Sequence, residues 1–173
     1  MKSLAFLLLV FCAPQFWSSG ITNACNITID NKEKARIDDE MQGIWKLAED
    51  TDSHNYFIVE KDGDYGYALT YMNRGGNNRG LEHFRAFFIE VNHVKFLTLG
   101  NWDTEHPGYV FLKIKDVGRG SWQVTAALVT DKRLRDVTNI AELRELLEKN
   151  LNNPDFYGKE LHFRKRFEFN SFH

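Results

Sequence analysis

The chain has 173 residues, enough for one domain with little room for a second. Apolar residues make up 43% and charged residues 27%, which excludes a disordered chain, and a formal charge of −2 argues against a nucleic-acid-binding surface as its main business. Aromatics reach 14%, with fourteen Phe, and burying one such side chain is worth about 1.5–3 kcal/mol, so half of them would form a substantial core.

Lys2 precedes the apolar run Leu4 to Phe11, followed by Cys12-Ala13-Pro14. A short positive start and a run of this length match a secretory signal peptide and fall short of the roughly 18 residues of a spanning helix. Ser18 and Gly20 are small residues two apart, so cleavage is expected after Gly20, giving a signal peptide over 1–20 and a secreted or periplasmic mature chain without a transmembrane segment. Cys25 is then the one remaining cysteine, and its thiol is open to pairing with another chain. Cys12 offers a second fate, because it resembles the lipidated cysteine of bacterial lipoproteins, with Leu9 at the usual place but Phe11 where a small residue belongs. Asn26-Ile27-Thr28 is a glycosylation acceptor triplet, meaningful only in a eukaryotic secretory pathway.

Residues 21–40 read as an N-terminal tether, polar and without sustained period, with a short helix allowed between Asp30 and Glu40. The domain proper is expected over 41–173. From Gly43 onward short runs of period two dominate, the signature of strands. The first runs from Ile44 to Glu49, with Trp45 and Leu47 on one side and Lys46 opposite. Strands over 55–61 and 65–72 follow, joined through Asp62-Gly63-Asp64, where glycine readily takes positive φ. The third places Tyr65, Tyr67, Leu69 and Tyr71 on one face, whose direction the sequence leaves open. The next two, 84–91 and 94–100, flank a tight Asn92-His93 turn, and two more cover 109–117 and 122–129.

The period then changes. Ile140, Leu143, Leu146, Leu147 and Leu151 recur at helical spacing over 138–151, with Thr138 or Asn139 as cap, Glu142 as its partner, and Asn152-Asn153-Pro154 as the stop. An eighth strand over 161–169 alternates Leu161, Phe163, Phe167 and Phe169 with His162, Arg164, Arg166 and Glu168; Lys165 alone breaks its apolar side. Eight evenly spaced strands joined mainly by short turns fit an up-and-down antiparallel barrel with one α-helix before the last strand, since closure removes both sheet edges. A β-sandwich is the competing arrangement.

Gly43-Ile44-Trp45 at the head of the first strand resembles the G-x-W motif of the lipocalins and of their wider, calycin-type barrel superfamily. More broadly, the chain is similar in outline to the small lipocalin-like domains of secreted bacterial proteins. The resemblance spans roughly 41–169 and implies that Gly43 and Trp45 pack the narrow end of the barrel beneath an arginine from a late strand, here Arg164 or Arg166, through cation–π contact. It departs from the family in lacking the Thr-Asp-Tyr turn of the second motif and in placing the helix before the last strand rather than after it.

Chemistry is sparse. None of the six histidines stands at metal-ligand spacing, no G-x-S-x-G surrounds a serine, and Cys25 falls in the tether, so no metal, cofactor or catalytic residue is assigned. The loop 73–80 (NRGGNNRG) is a candidate anion cup, in which Arg74, Gly75, Gly76 and Arg79 would combine free N–H groups with positive charge; a plain flexible connection is the competing reading. If the tyrosine face points inward, Trp45, Tyr67, Leu69, Tyr71, Phe88 and Phe96 are the candidate wall of a cavity. The expectation is a non-enzymatic binding protein for a small apolar or amphipathic ligand. The alternative is an envelope accessory protein or an inhibitor of a secreted enzyme, working through protein contacts.

Overall fold

The structure is a computed structural model that describes Cys25, Ile37 and residues 39–49, 55–73, 80–101, 108–117 and 123–167. Eight strands run β1 (Gly43–Leu47), β2 (Tyr56–Asp62), β3 (Gly66–Asn73), β4 (Gly80–Val91), β5 (Val94–Asn101), β6 (Tyr109–Val117), β7 (Gln123–Val129) and β8 (Tyr157–Phe167). Each pairs antiparallel with the next, and β8 returns to β1, so the sheet closes into a barrel in sequence order and the sandwich is ruled out. One α-helix, α1 (Ile140–Lys149), stands between β7 and β8.

Local chemistry explains the turns. Asn92 and His93 both take positive φ, 48° and 63°, the two-residue geometry that follows the twist of paired strands. Gly43 enters β1 at φ 136°, a conformation L side chains rarely adopt, so a glycine two residues before Trp45 is a backbone requirement. Helix α1 starts on Asn139, whose side chain accepts from Glu142 N–H at 3.0 Å, while the Glu142 carboxylate accepts from Thr138 N–H and Oγ1 at 2.9 Å each. Both expected capping residues are therefore used, Asn139 as cap and Thr138 as its outer partner.

Apolar residues collect in two clusters on opposite sides of the sheet. One lines the barrel interior and contains Trp45, Val59, Tyr67, Leu69, Leu112 and Val124. The other lies outside β4 to β7, where Leu143 and Leu147 of α1 cover Ile89, Val91, Phe96 and Phe111. Five of those six are completely buried, and each Leu or Phe so placed contributes about 1.5–3 kcal/mol.

The outer cluster also corrects the reading of 21–40 as a tether throughout, since Cys25 is wholly buried within it. Its N–H donates to the Tyr109 carbonyl at 2.9 Å, and Tyr109 N–H donates back at 2.7 Å. Tyr109 lies beyond the last β6–β7 pair at that end, Leu112↔Leu128, which leaves its backbone groups for Cys25. Of the short helix allowed before Glu40, the described part is a 3-10 turn, Asp39–Met41. No helix among the described residues is long and apolar enough to cross a membrane.

Candidate ligand-binding cavity

The two barrel ends differ in construction. One carries the tight turns 63–65 and 92–93, the start of β1 and the end of β8. The longer connections 48–55, 74–79 and 102–108, together with the segment bearing α1, belong to the other, which we call the mouth.

Trp45 sits at the first end, 4% exposed, and its Nε1 donates to the Met41 carbonyl at 2.8 Å. The expected arginine partner is replaced by Lys165. Its Nζ lies 5.7 Å from the Trp45 ring centre and donates to the Glu40 carbonyl at 2.8 Å, so the 3-10 turn is tied across the end by both side chains. The reason is a register shift. Ile44 pairs with Phe167, and an unbroken ladder would then set Trp45 opposite Arg166, yet Trp45 pairs with Lys165. The bulge at Arg166 brings the lysine onto the Trp45 face, as directly opposed residues share a face. Arg164 pairs with Lys46, and both arginines are exposed.

The tyrosine face of β3 points inward. Tyr67, Leu69 and Tyr71 are 2%, 7% and 4% exposed, whereas Tyr65, just before the strand, is 46% exposed. Phe88 meets Tyr67 edge-on inside the barrel at 5.8 Å. Phe96 does not line the interior: it is fully buried in the outer cluster, and the inward residues of β5 are Leu97 and Leu99. Alternation along the strand dictates this, because one residue of each adjacent pair must face away. The candidate anion cup Arg74, Gly75, Gly76 and Arg79 lies outside the described residues.

Within the barrel lies a cavity of about 60 Å³, bounded by Trp45, Phe57, Leu69, Leu97, Phe163 and seven further apolar residues; of the expected wall, Trp45 and Leu69 line it, while Tyr67, Tyr71 and Phe88 do not. Phe57, Phe84, Phe88, Leu97, Leu99, Leu128, Leu161 and Phe163 belong to the interior cluster but are only partly buried. A barrel packed to ordinary core density would bury them. Toward the mouth the inner face turns polar at Glu82, directly opposite Tyr71. Burial pushes the Glu82 carboxyl above its ordinary range.

A second depression, about 380 Å³, lies where β1 leaves the sheet, among Glu49, Gln123, Thr125, His162 and Arg164. Thr125 Oγ1 and His162 Nδ1 are 3.1 Å apart, and His162 Nε2 is 4.0 Å from Glu49. Hydroxyl, imidazole and carboxylate in line suggest a nucleophile relay, but the pairing has a plainer origin. Thr125 and His162 are cross-strand neighbours, and Thr70 with His83, also cross-strand, repeats the contact at 3.1 Å. The imidazole and carboxylate are about half exposed, where water screens the contact. No group of His, Cys, Asp and Glu among the described residues is arranged to hold a metal ion.

No protein-family model, curated protein or solved structure matches this chain.

Proposed function

We propose that this chain is a non-enzymatic binding protein, exported to the periplasm or the cell exterior, that holds a small apolar or amphipathic molecule inside a lipocalin-like barrel. The observation that carries the reading is the incomplete burial of inward-facing apolar side chains around a cavity walled entirely by apolar residues. An unfilled apolar interior forgoes dispersion contacts that a guest would restore. A cavity of about 60 Å³ is smaller than the roughly 150 Å³ that admits benzene. The guest is therefore slender, an unbranched chain entering from the mouth as the partly buried Phe57, Phe84 and Phe163 turn aside. The leader-like residues 1–20 support export.

Calorimetric titration of the purified chain with decanol, below its micelle-forming concentration, tests this. Saturable binding at one site is expected. Ala126→Phe, which adds bulk at the cavity wall, should abolish it while the circular dichroism spectrum is kept. Absence of saturable binding by the folded chain overturns the reading and favours an accessory or inhibitor role through protein contacts.

A further inference from the structure

The interior carries Lys165 at its Trp45 end, and toward the mouth the inner face of β4 bears a second charged group, Glu82. We propose that the guest of this barrel carries a protonated amine at the end of its apolar chain, and that Glu82 is the residue that receives it. The inference rests on the binding function proposed above and names the class of ligand.

Four observations place Glu82 in that role. Pairing of β3 with β4 is unbroken from Tyr67↔Ala86 to Asn73↔Gly80, so Glu82 shares the inward face of Phe84, Ala86 and Phe88. It lies one step beyond Phe84 along that face, on the mouth side, opposite the buried Tyr71. Glu82 makes no hydrogen bond or ion pair among the described residues, and burial alone displaces its carboxyl from the ordinary range. The nearest described cation along β4, Arg85, has the opposite parity and reaches Asp62 at 3.8 Å.

A partly desolvated carboxylate on an otherwise apolar inner face discriminates among head groups. An alkylammonium supplies both opposite charge and N–H donors, an alcohol supplies one neutral donor, and a carboxylate brings like charge against like. The apolar chain is the same in all three, so its burial cancels in the comparison. Lys165 does not compete for the head group, as it belongs to the far end and is bonded to Glu40.

Decylamine, decanol and decanoate, each below its micelle-forming concentration, are to be titrated calorimetrically into wild-type and Glu82→Gln chains at pH 8. On the wild type the amine should bind about tenfold more tightly than the alcohol, with decanoate weakest. Glu82→Gln should bring amine and alcohol to within about twofold, chiefly by weakening the amine. Equal affinity for the three chains, or a wild-type preference for decanoate, overturns the assignment while leaving the barrel a container. An amine preference that survives in Glu82→Gln also overturns it. Failure of all three chains to bind overturns the container reading and takes this inference with it.

Discussion

Replacing Lys165 with methionine tests how the Trp45 end of the barrel is held. The ammonium is 6% exposed, donates to the Glu40 carbonyl at 2.8 Å and lies 5.7 Å from the Trp45 ring centre. A hydrogen bond from a charged donor is worth about 1.5–3 kcal/mol, and a largely desolvated cation–π contact up to about 2 kcal/mol. Against these stands the desolvation of the ammonium, several kcal/mol in a dry interior, which methionine would not incur. The end of a barrel is nearer to solvent than its middle, and methionine leaves the Glu40 carbonyl without its donor, so the losses should prevail by about 2 kcal/mol. For a domain of this size that lowers the melting temperature by about 4–8 °C. Thermal and urea unfolding followed by circular dichroism provide the measurement. Lys165→Arg, which keeps both the donor and the cation, should recover more than half of the loss. If Lys165→Met is as stable as wild type, or more so, desolvation outweighs the contacts and Lys165 is no latch.

Four more substitutions probe the rest of the molecule. Thr98 is fully buried on the outer face, and its Oγ1 makes no hydrogen bond among the described residues, so Thr98→Val should raise stability by about 1 kcal/mol or more in urea titrations. A loss would mean that the hydroxyl is satisfied in solution. Asp131 accepts from Arg133 at its backbone N, Nε and Nη2, at 2.7–2.9 Å, and the side-chain bonds to Arg133 hold its carboxyl below the usual range. A depressed carboxylate stabilises above its unfolded pKa, about 4, and loses that contribution as pH falls through the folded value. Asp131→Asn should thus be the less stable chain at pH 7, with the gap closing in acid; a gap independent of pH would contradict the assignment. Leu147→Ala, at a fully buried site under α1, should cost about 2–5 kcal/mol, and Leu97→Ala, on the cavity wall, less than half as much. Equal costs would show an interior as well packed as the outer core, and would remove the basis for a guest.

The barrel was legible in the sequence because period-two runs and turn residues are written locally. Asn92-His93 and the 138–151 helix with its cap are cases in point. Legibility ended where partners, rather than side chains, set the structure. Strand β4 begins at Gly80, before the expected Phe84, and β8 at Tyr157, before the expected Leu161. Their opening residues Gly-Leu-Glu-His and Tyr-Gly-Lys-Glu have no apolar rhythm, and pairing with β3 and β7 makes them strand. The site was harder to read. Alternation tells in from out only when one face is polar, and β4 and β5 are apolar on both, so Phe96 could not be told from Leu97. Trp45 was found by its motif, but its cation was missed because a bulge shifts the register by one residue. Lys165 carried a signal nonetheless, as the single charge on the apolar side of β8. Cys25 carried none: one buried residue in a polar stretch leaves no periodic trace.

Burial on both sides of β4 to β7 bears on function. A small barrel that must leave its interior incompletely filled gives up contacts that would otherwise stabilise it. Here the deficit is offset on the outside, where α1, Phe156 and the segment at Cys25 form a core whose members are almost all inaccessible to water. The outer core packs against the same strands that present Leu97, Leu99, Leu112 and Ile114 to the cavity, so it fixes the backbone of the wall without filling the space between the walls. Lys165 and Trp45 secure one end in the same economical way, through two side chains bonded to backbone carbonyls of a single turn. Toward the opposite end, the inner face of β4 carries Glu82, one step beyond Phe84 and opposite Tyr71.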